Sequence, residues 1–493
     1  MKRLTAVIIA IVMCISIFNI PAVAMVPTVA VRIAPFKTTI LGENVDNTSV
    51  EYPLITYKDI TYFPMTYDLC AALKLCSGFD NEKGLFITKY FQDIQDRELK
   101  PYGGYKKNYY NTDYQAVIPT YPIYLNGISI DNSKEEYPLL NFRGVTYFPM
   151  TWRFAYEELN FDIVWSEEEY SFSLMPGDDP EMAYPYSAEG NNMILWDKVS
   201  VYDPHFDENG NVTGGTLVDS WWKKYLFDTG AETVSFQSDY RDFNFPKDEY
   251  DKSCGRLQGT ELSLEVKENG IYCGDELLLA TEQGKDKTDP VATEFKTEKG
   301  SIIYLNIYTP GIPAPYTPHS EYILAKDENG VRVLPWDDKN NFSGIFADNR
   351  GGYYVCSNGY SPYNMGRWSN SFSEIFRYTP EDGNFVSLVE KYSDVINSLQ
   401  AIGISGNKLY VKAMWYDARK DYGNSSTQGA TISAVNSGYY TIDLDSGAFE
   451  KVYPFIEGEL YLSPGGTPYC FAKYARNGRI VNLSTGNIIE YKR

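Results

Sequence analysis

The chain has 493 residues, a formal net charge of −21 and only two histidines. Sixty-five acidic residues against 44 basic ones repel phosphate backbones, which excludes nucleic acid as a natural partner. With 43% hydrophobic and 22% charged residues, the chain carries core material for roughly three or four folded units rather than a disordered polymer. Two histidines leave little room for histidine-built metal sites or histidine-based catalysis.

Residues 1–24 read as a secretory signal. Lys2 and Arg3 precede an apolar run from Leu4 to Phe18, and Ala22-Val23-Ala24 supplies a cleavage site. The run is short for a spanning helix, which needs about 20 residues. Loss of Lys2 and Arg3 takes the mature charge from −21 to −23. Six cysteines follow: Cys70, Cys76, Cys254, Cys273, Cys356 and Cys470. An even count in an exported chain permits disulfides, and Cys70 with Cys76 and Cys254 with Cys273 are the pairs close in sequence. Aromatic and β-branched neighbours favour buried thiols for Cys273, Cys356 and Cys470 instead.

A duplication comes next. EYPLITYKDITYFPMT at 51–66 and EYPLLNFRGVTYFPMT at 136–151 are identical at ten of sixteen positions at an offset of 85. Gly42, Asp46 and Asn47 align with Gly127, Asp131 and Asn132 at the same offset. With one residue inserted, Leu73 aligns with Leu159 and Phe79 with Trp165. Each copy predicts a glycine-turn strand pair, a hairpin ending at Pro64 or Pro149, a helix capped by Thr66 or Thr151, and two closing strands. Leu69 and Leu73 share a helix face, as do Phe154 and Leu159. The expected packing is a small antiparallel sheet on one helix.

These residues resemble the copper amine oxidase N-terminal-like domain, a small stalk module, over about 33–90 and 117–175. Thr66 and Thr151 stand where the family has a basic residue, and Lys74 and Asn160 where it has glycine. The resemblance implies attachment or spacing, not oxidation. Copper amine oxidase chemistry resides in another, larger domain with three histidine ligands and a tyrosine-derived quinone, and this chain has only His205 and His319.

Residues 91–116 read as a tyrosine-rich spacer and 176–192 as a linker. From 193 to 493, short strands alternate with tight turns at Gly230, Gly284, Gly330, Gly383, Gly447 and Gly486. Their mean spacing of about 51 residues is blade-sized. Six units predict a six-bladed β-propeller, with five or seven blades as near alternatives and a pair of β-sandwiches as the competing architecture. The fold class is therefore mostly β and multidomain: signal 1–24, α+β modules at 25–90 and 117–175, and a propeller-like domain at 193–493.

Four long segments follow the second strand of their units: 202–220, 309–320, 357–373 and 416–437. Equivalent loops emerge on one face, which places Tyr316, Tyr360, Tyr363, Trp368, Trp415, Tyr416 and Tyr422 on a common rim with Arg367, Arg419, Lys420 and Asp417. Exposed aromatics among polar groups suit sugars, peptides or protein surfaces. The alternative is that these segments pack only on one another. Asp207-Glu208-Asn209-Gly210-Asn211 opens like a calcium loop, but Val212 replaces the glycine and no glutamate closes it, so a β-turn is the better reading. His205, His319 and Asp203 are the only histidine-containing metal candidates, and an ordinary surface role is the commoner one. No G-x-S-x-G, H-E-x-x-H, phosphate-binding loop or G-x-G-x-x-G with a following helix is present.

The sequence thus predicts a secreted or cell-surface, non-enzymatic binding or scaffold protein without cofactor or metal. Its expected partners are cell-envelope glycans, peptides or proteins, with no membrane span once the signal is removed. A carbohydrate-active hydrolase or lyase using two carboxylates on the propeller is the alternative, and a purely structural surface protein is a third reading.

Overall fold

The structure is a computed structural model that describes residues 27–89, 105–177, 184–190, 192–206, 212–241, 255–280, 289–308, 319–336, 341–348, 350–358, 374–388, 398–417, 431–472 and 478–492. It is mostly β and built of many sheets, as expected. Among the described residues there are forty strands, one short α-helix and one π-helical turn. No helix among them is long and apolar enough to cross a membrane.

The first repeat contributes strands β1 (Thr28–Ile33), β2 (Lys37–Ile40), β3 (Glu43–Val45), β4 (Ile55–Tyr57) and β5 (Ile60–Pro64). Helix α1 (Tyr67–Ala72), β6 (Leu75–Asp80) and β7 (Gly84–Lys89) complete it. The second contributes β8 (Tyr114–Val117), β9 (Ile123–Leu125), β10 (Ile128–Ser129), β11 (Leu140–Phe142) and β12 (Val145–Pro149). The π-helical turn Trp152–Glu158, β13 (Phe161–Ser166) and β14 (Ser171–Pro176) follow. Strand β8 begins inside the segment expected as a spacer.

The repeats do not pack as one sheet on one helix each. They exchange strands. A closed six-stranded barrel runs β1-β4-β5-β12-β11-β8, half from each copy. Its two seams are self-complementary: Phe63 pairs with its own equivalent Phe148, and Ala30 with its equivalent Gln115. A pseudo-two-fold axis therefore crosses the barrel at both seams. The closing hairpin of each copy also leaves its own repeat. Strand β7 runs parallel to β9, with Phe86 against Tyr124, and β14 runs parallel to β2, with Phe172 against Thr38. One apolar core holds Leu69 and Leu73 together with Phe154 and Leu159, so neither repeat has a core of its own.

Local sequence explains the pieces. Lys58-Asp59 and Arg143-Gly144 both have positive φ at the two central hairpin positions, the geometry that matches strand twist. Asn47 and Asn132 repeat because each is a buried clamp, its Oδ1 accepting from the N–H of Leu54 or Leu139 at 2.9 and 2.7 Å. The extra residue in the second copy is absorbed by wider winding. Leu73 N–H donates to Leu69 O, whereas Leu159 N–H reaches Phe154 O, one residue further back. Thr151 accepts from the N–H of Phe154 at 3.4 Å, but Thr66 makes no side-chain cap. Lys74 and Asn160, where glycine was expected, sit at φ +57° and +51°.

Among the described residues beyond the repeats lie five antiparallel meanders. The first comprises Tyr184–Glu189, Asn192–Phe206, Val212–Asp228 and Thr233–Tyr240. The second comprises Asp289–Thr297, Gly300–Tyr308, His319–Asp327 and Gly330–Val333, with Gly259–Leu262 added at its edge. The third comprises Asn341–Ala347, Tyr353–Asn358, Ile375–Thr379 and Asn384–Ser387. The fourth comprises Ser398–Ser405, Lys408–Met414, Gly438–Asp443 and Phe449–Pro454. The fifth comprises Gly458–Leu462, Pro468–Ala472, Gly478–Asn482 and Ile488–Tyr491. A small three-stranded sheet at Glu265–Lys267, Gly270–Cys273 and Glu276–Ala280 packs on the second meander.

Five of the six predicted glycine turns, at Gly230, Gly330, Gly383, Gly447 and Gly486, join the third strand of a meander to its fourth. Gly284, between the small sheet and the second meander in sequence, lies outside the described residues. Apolar clusters join the meanders in the order second, third, fourth, fifth and first.

The sulfur chemistry is simple. Cys70, Cys76, Cys356 and Cys470 are buried free thiols and Cys273 is a partly buried one, so Cys70 and Cys76 are not paired. Burial pushes the Cys70 and Cys470 thiols up to about 12, which makes them inert side chains of the core. Cys254 lies outside the described residues.

Candidate functional site: one edge of the meanders

A meander has two edges. The turns between strands one and two and between three and four lie on one. The connection from strand two to strand three, and the passage to the next meander, lie on the other. The turn edge is tied together. Lys299 of the second meander meets Glu381 of the third at 3.0 Å. Arg350 of the third donates to Asp445 and Asn407 of the fourth at 2.9 and 2.5 Å. Glu232 of the first accepts from Asn482 and Asn487 of the fifth. Exposed pairs of this kind contribute little energy, and their value here is to mark which turns are neighbours.

The opposite edge carries everything long. Segments 309–318, 359–373 and 418–430 each link the second strand of a meander to its third, in the second, third and fourth meanders. In the first, the expected loop 202–220 is largely strand. Backbone pairing continues from Asn192 with Asp228 out to Phe206 with Val212, making a two-stranded arm. Alternating apolar residues such as Val199, Val201, Trp221 and Leu217 sustain that pairing. Only 207–211, the calcium-like stretch, lies outside the described residues.

The repeat unit docks on this same edge, at the fourth and fifth meanders. Cys76, Phe86 and Tyr124 from its outer sheet pack with Met414, Ala434 and Phe455. The rings of Phe86 and Tyr124 stack at 4.7 Å. Thr88 Oγ1 donates to Phe455 O at 3.4 Å. Arg479, 6% exposed, makes a two-pronged pair with Glu158 at 2.8 and 3.2 Å and also reaches Glu490. Gly78 suits the close fit, because a Cβ there would stand 3.0 Å from a methyl of Val435, which would have to give way.

Among the described residues, the contacts of the repeat unit are with the fourth and fifth meanders and not with the edge of the second and third. Strand Gly300–Tyr308 alternates, with Ile303, Leu305 and Ile307 toward the small sheet. The opposite face carries Tyr304, Asn306 and Tyr308. Tyr304 Oη donates to Glu321 Oε1 at 3.0 Å, and Asn306 Nδ2 donates to the hydroxyls of Tyr304 and Tyr308, both at 3.0 Å. Glu321, 5% exposed, takes the N–H of Phe342 on its other oxygen at 2.9 Å. The ring of Phe342 stacks on Tyr304 at 4.3 Å. Burial and the neighbouring Glu321 carboxylate raise the Tyr304 hydroxyl well above its ordinary value, so it stays protonated.

Of the rim residues proposed from sequence, Trp415, Tyr416 and Asp417 are described. Trp415 is not a freely projecting rim residue. Its indole is half-buried against Tyr440 and Phe449, with ring centres at 5.2 and 6.5 Å, and packs on the core between the third and fourth meanders just past the end of strand Lys408–Met414. Tyr416 starts a short ribbon, pairing with Ile432. Tyr316, Tyr360, Tyr363, Trp368, Tyr422, Arg367, Arg419 and Lys420 lie outside the described residues. His205 and His319 sit on strands of different meanders. Among the described residues no three His, Cys, Asp or Glu side chains gather as a metal site. The Tyr304–Asn306–Glu321 network was missed, although the alternation in YLNIY and the polar Glu321 in SEYIL signal it.

No family model matches the chain, and no curated protein matches it.

Proposed function

We propose that this is an exported, cell-surface binding or scaffold protein whose loop edge recognises a cell-envelope ligand. The repeat pair, which resembles copper amine oxidase N-terminal-like modules, serves as its attachment and spacing unit. The five meanders form a propeller-like ring, with the first and fifth in contact. One observation carries the reading. The arm, the strand ends that flank the three long segments and the docked repeat unit share one edge, while the described turns of the other edge are short and tied to one another. Binding proteins place variable connections together on a rigid scaffold in this way. The excess of carboxylates favours neutral or cationic ligands over anionic polymers.

The test is retention of the full chain on a panel of purified glycans and peptidoglycan, scored for product release as well. Trp368→Ala with Tyr363→Ala is expected to lose retention at least tenfold while keeping the wild-type circular dichroism. Unchanged retention overturns the binding edge, and steady product release replaces it with a hydrolase or lyase.

A further inference from the structure

We infer that the tip of the hairpin β13–β14 is a docking surface for a lysine- or arginine-rich segment of a partner protein. The inference rests on the reading of the repeat pair as an attachment unit, and it names the partner class for one surface of that unit.

The hairpin belongs to the outer sheet β13-β14-β2-β3, not to the sheet that packs on the meanders. Trp165 and Tyr170 stand on either side of its turn, 44% and 53% exposed, with ring centres 5.6 Å apart. Both rings lie edge to face with buried Phe36, at 5.1 and 6.1 Å, which fixes them to the sheet. Glu167, Glu168 and Glu169 fill the turn between them and are exposed. Among the described residues Lys37 is the cation paired there, 3.9 Å from Glu169, so one ammonium faces three carboxylates. Exposed apolar surface rimmed by charge marks an interaction site.

The other copy shows that the fold needs none of this. Strand β7 pairs with β9 as β14 pairs with β2, which aligns Tyr170 with Lys83 and Phe36 with Tyr121. Phe79 lies edge to face with Tyr121 at 5.2 Å, as Trp165 does with Phe36. That turn, however, reads Asn81-Glu82-Lys83, with one carboxylate, one ammonium and no aromatic ring. Tyr170 moreover sits at φ +49°, a left-handed conformation that is costly for a bulky residue. Such an outlier points to a use for its side chain.

The chemistry selects the partner. The faces of an indole and a phenol attract cations, and the carboxylates add charge attraction, so an ammonium or guanidinium uses both. A glycan stacks on a flat platform, whereas these ring planes stand 79° apart. An anionic polymer is repelled, and a second copy of this chain would set the same carboxylates against one another.

Fluorescence anisotropy on the full chain tests this with three labelled probes: octalysine, a neutral glycine-serine octamer, and a tetramer of glucosamine. Octalysine is expected to bind at least tenfold more tightly than either of the others. Trp165→Ala and Tyr170→Gly, which leave the charge unchanged, are each expected to weaken it at least fivefold. Tyr170→Gly also relieves the left-handed strain, so its melting temperature is expected not to fall, and it decides the matter if Trp165→Ala folds poorly. Glu167→Gln with Glu168→Gln is expected to weaken octalysine more than the equally charged control, Glu268→Gln with Glu328→Gln, on the small sheet and the second meander. Equal weakening by the two pairs, or wild-type affinity in Tyr170→Gly, means attraction by net charge alone and overturns the surface. Tighter binding of the glucosamine tetramer, or self-association in sedimentation that Trp165→Ala abolishes, overturns the choice of partner. Trp368→Ala with Tyr363→Ala is expected to leave octalysine binding unchanged. Loss of glycan retention in that variant alone therefore speaks to the loop edge, and loss of octalysine binding in Tyr170→Gly alone speaks to this hairpin.

Discussion

The two outer sheets of the repeat unit are related by its pseudo-two-fold, yet among the described residues only one packs on the meanders. The sheet β10-β9-β7-β6 is covered by the fourth and fifth meanders, whereas β13-β14-β2-β3 leaves Val164 and Met175 62% and 43% exposed. The barrel seams stay symmetric, so the difference lies in a few side chains. Where the docked face has Gly78, Phe86 and Tyr124, the free face has Val164, Ser173 and Thr39. A small residue lets the Val435 segment approach, and an aromatic pair fills the space behind it. Duplication supplied two equivalent surfaces, and a handful of substitutions selected one for docking.

The largest expected effect comes from cutting the charged tie on the docked side. Arg479→Ala leaves Glu158 buried without its partner, which costs about 3–5 kcal/mol. Chemical unfolding is expected to split into two transitions as the repeat unit and the meanders uncouple. A single transition at the wild-type midpoint would show that the pair is dispensable. Next comes Gly78→Val, which puts the free face's residue on the docked face. Overpacking against Val435 is expected to cost about 1–3 kcal/mol, whereas Val164→Ala on the other side changes stability by only about 0.5 kcal/mol. Equal effects at the two positions would contradict the assignment of docked and free faces.

A smaller effect probes the symmetry itself. Lys74 and Asn160 occupy equivalent left-handed positions after the helical turns, and lysine tolerates that conformation less well than asparagine. Lys74→Gly is expected to raise stability by about 1 kcal/mol, and Asn160→Gly by less, as read by thermal melting. The smallest effect concerns the turn edge. Burial alone would raise the Glu232 carboxyl, but hydrogen bonds from Asn482, Asn487 and Tyr469 outweigh it and hold it below the usual range. Its folded value lies below its unfolded value of about 4.3, so the stabilisation is present at neutral pH and lost as pH falls through the folded value. Glu232→Gln is expected to flatten the stability profile on that acid side only.

Much of this was legible in the sequence. The duplicated motif, the hairpin turns and five repeated glycines mark the elements, because turn chemistry and alternation are local. Strand exchange was not, since each closing hairpin presents the same pattern to its own copy as to the other. Only the long-range pairing of Phe86 with Tyr124 and of Phe172 with Thr38 decides it. The arm was read as a loop because Asp203, Pro204 and Gly214-Gly215 weaken the strand signal that Val201 and Leu217 carry. For the candidate site, the edge follows from connectivity, but Trp415 turns inward because packing against Tyr440 and Phe449, which no local pattern reports, sets its environment.

Hydrogen exchange of the full chain, with and without the best-retained glycan, tests most directly whether the loop edge is the recognition face. Added protection is expected at Asn306–Tyr308, at the Phe342 and Ser357 strand ends, and at the Trp415 turn, with none at the turns holding Glu232, Arg350 and Glu381. Protection confined to those turns, or to the free sheet around Val164, would contradict it.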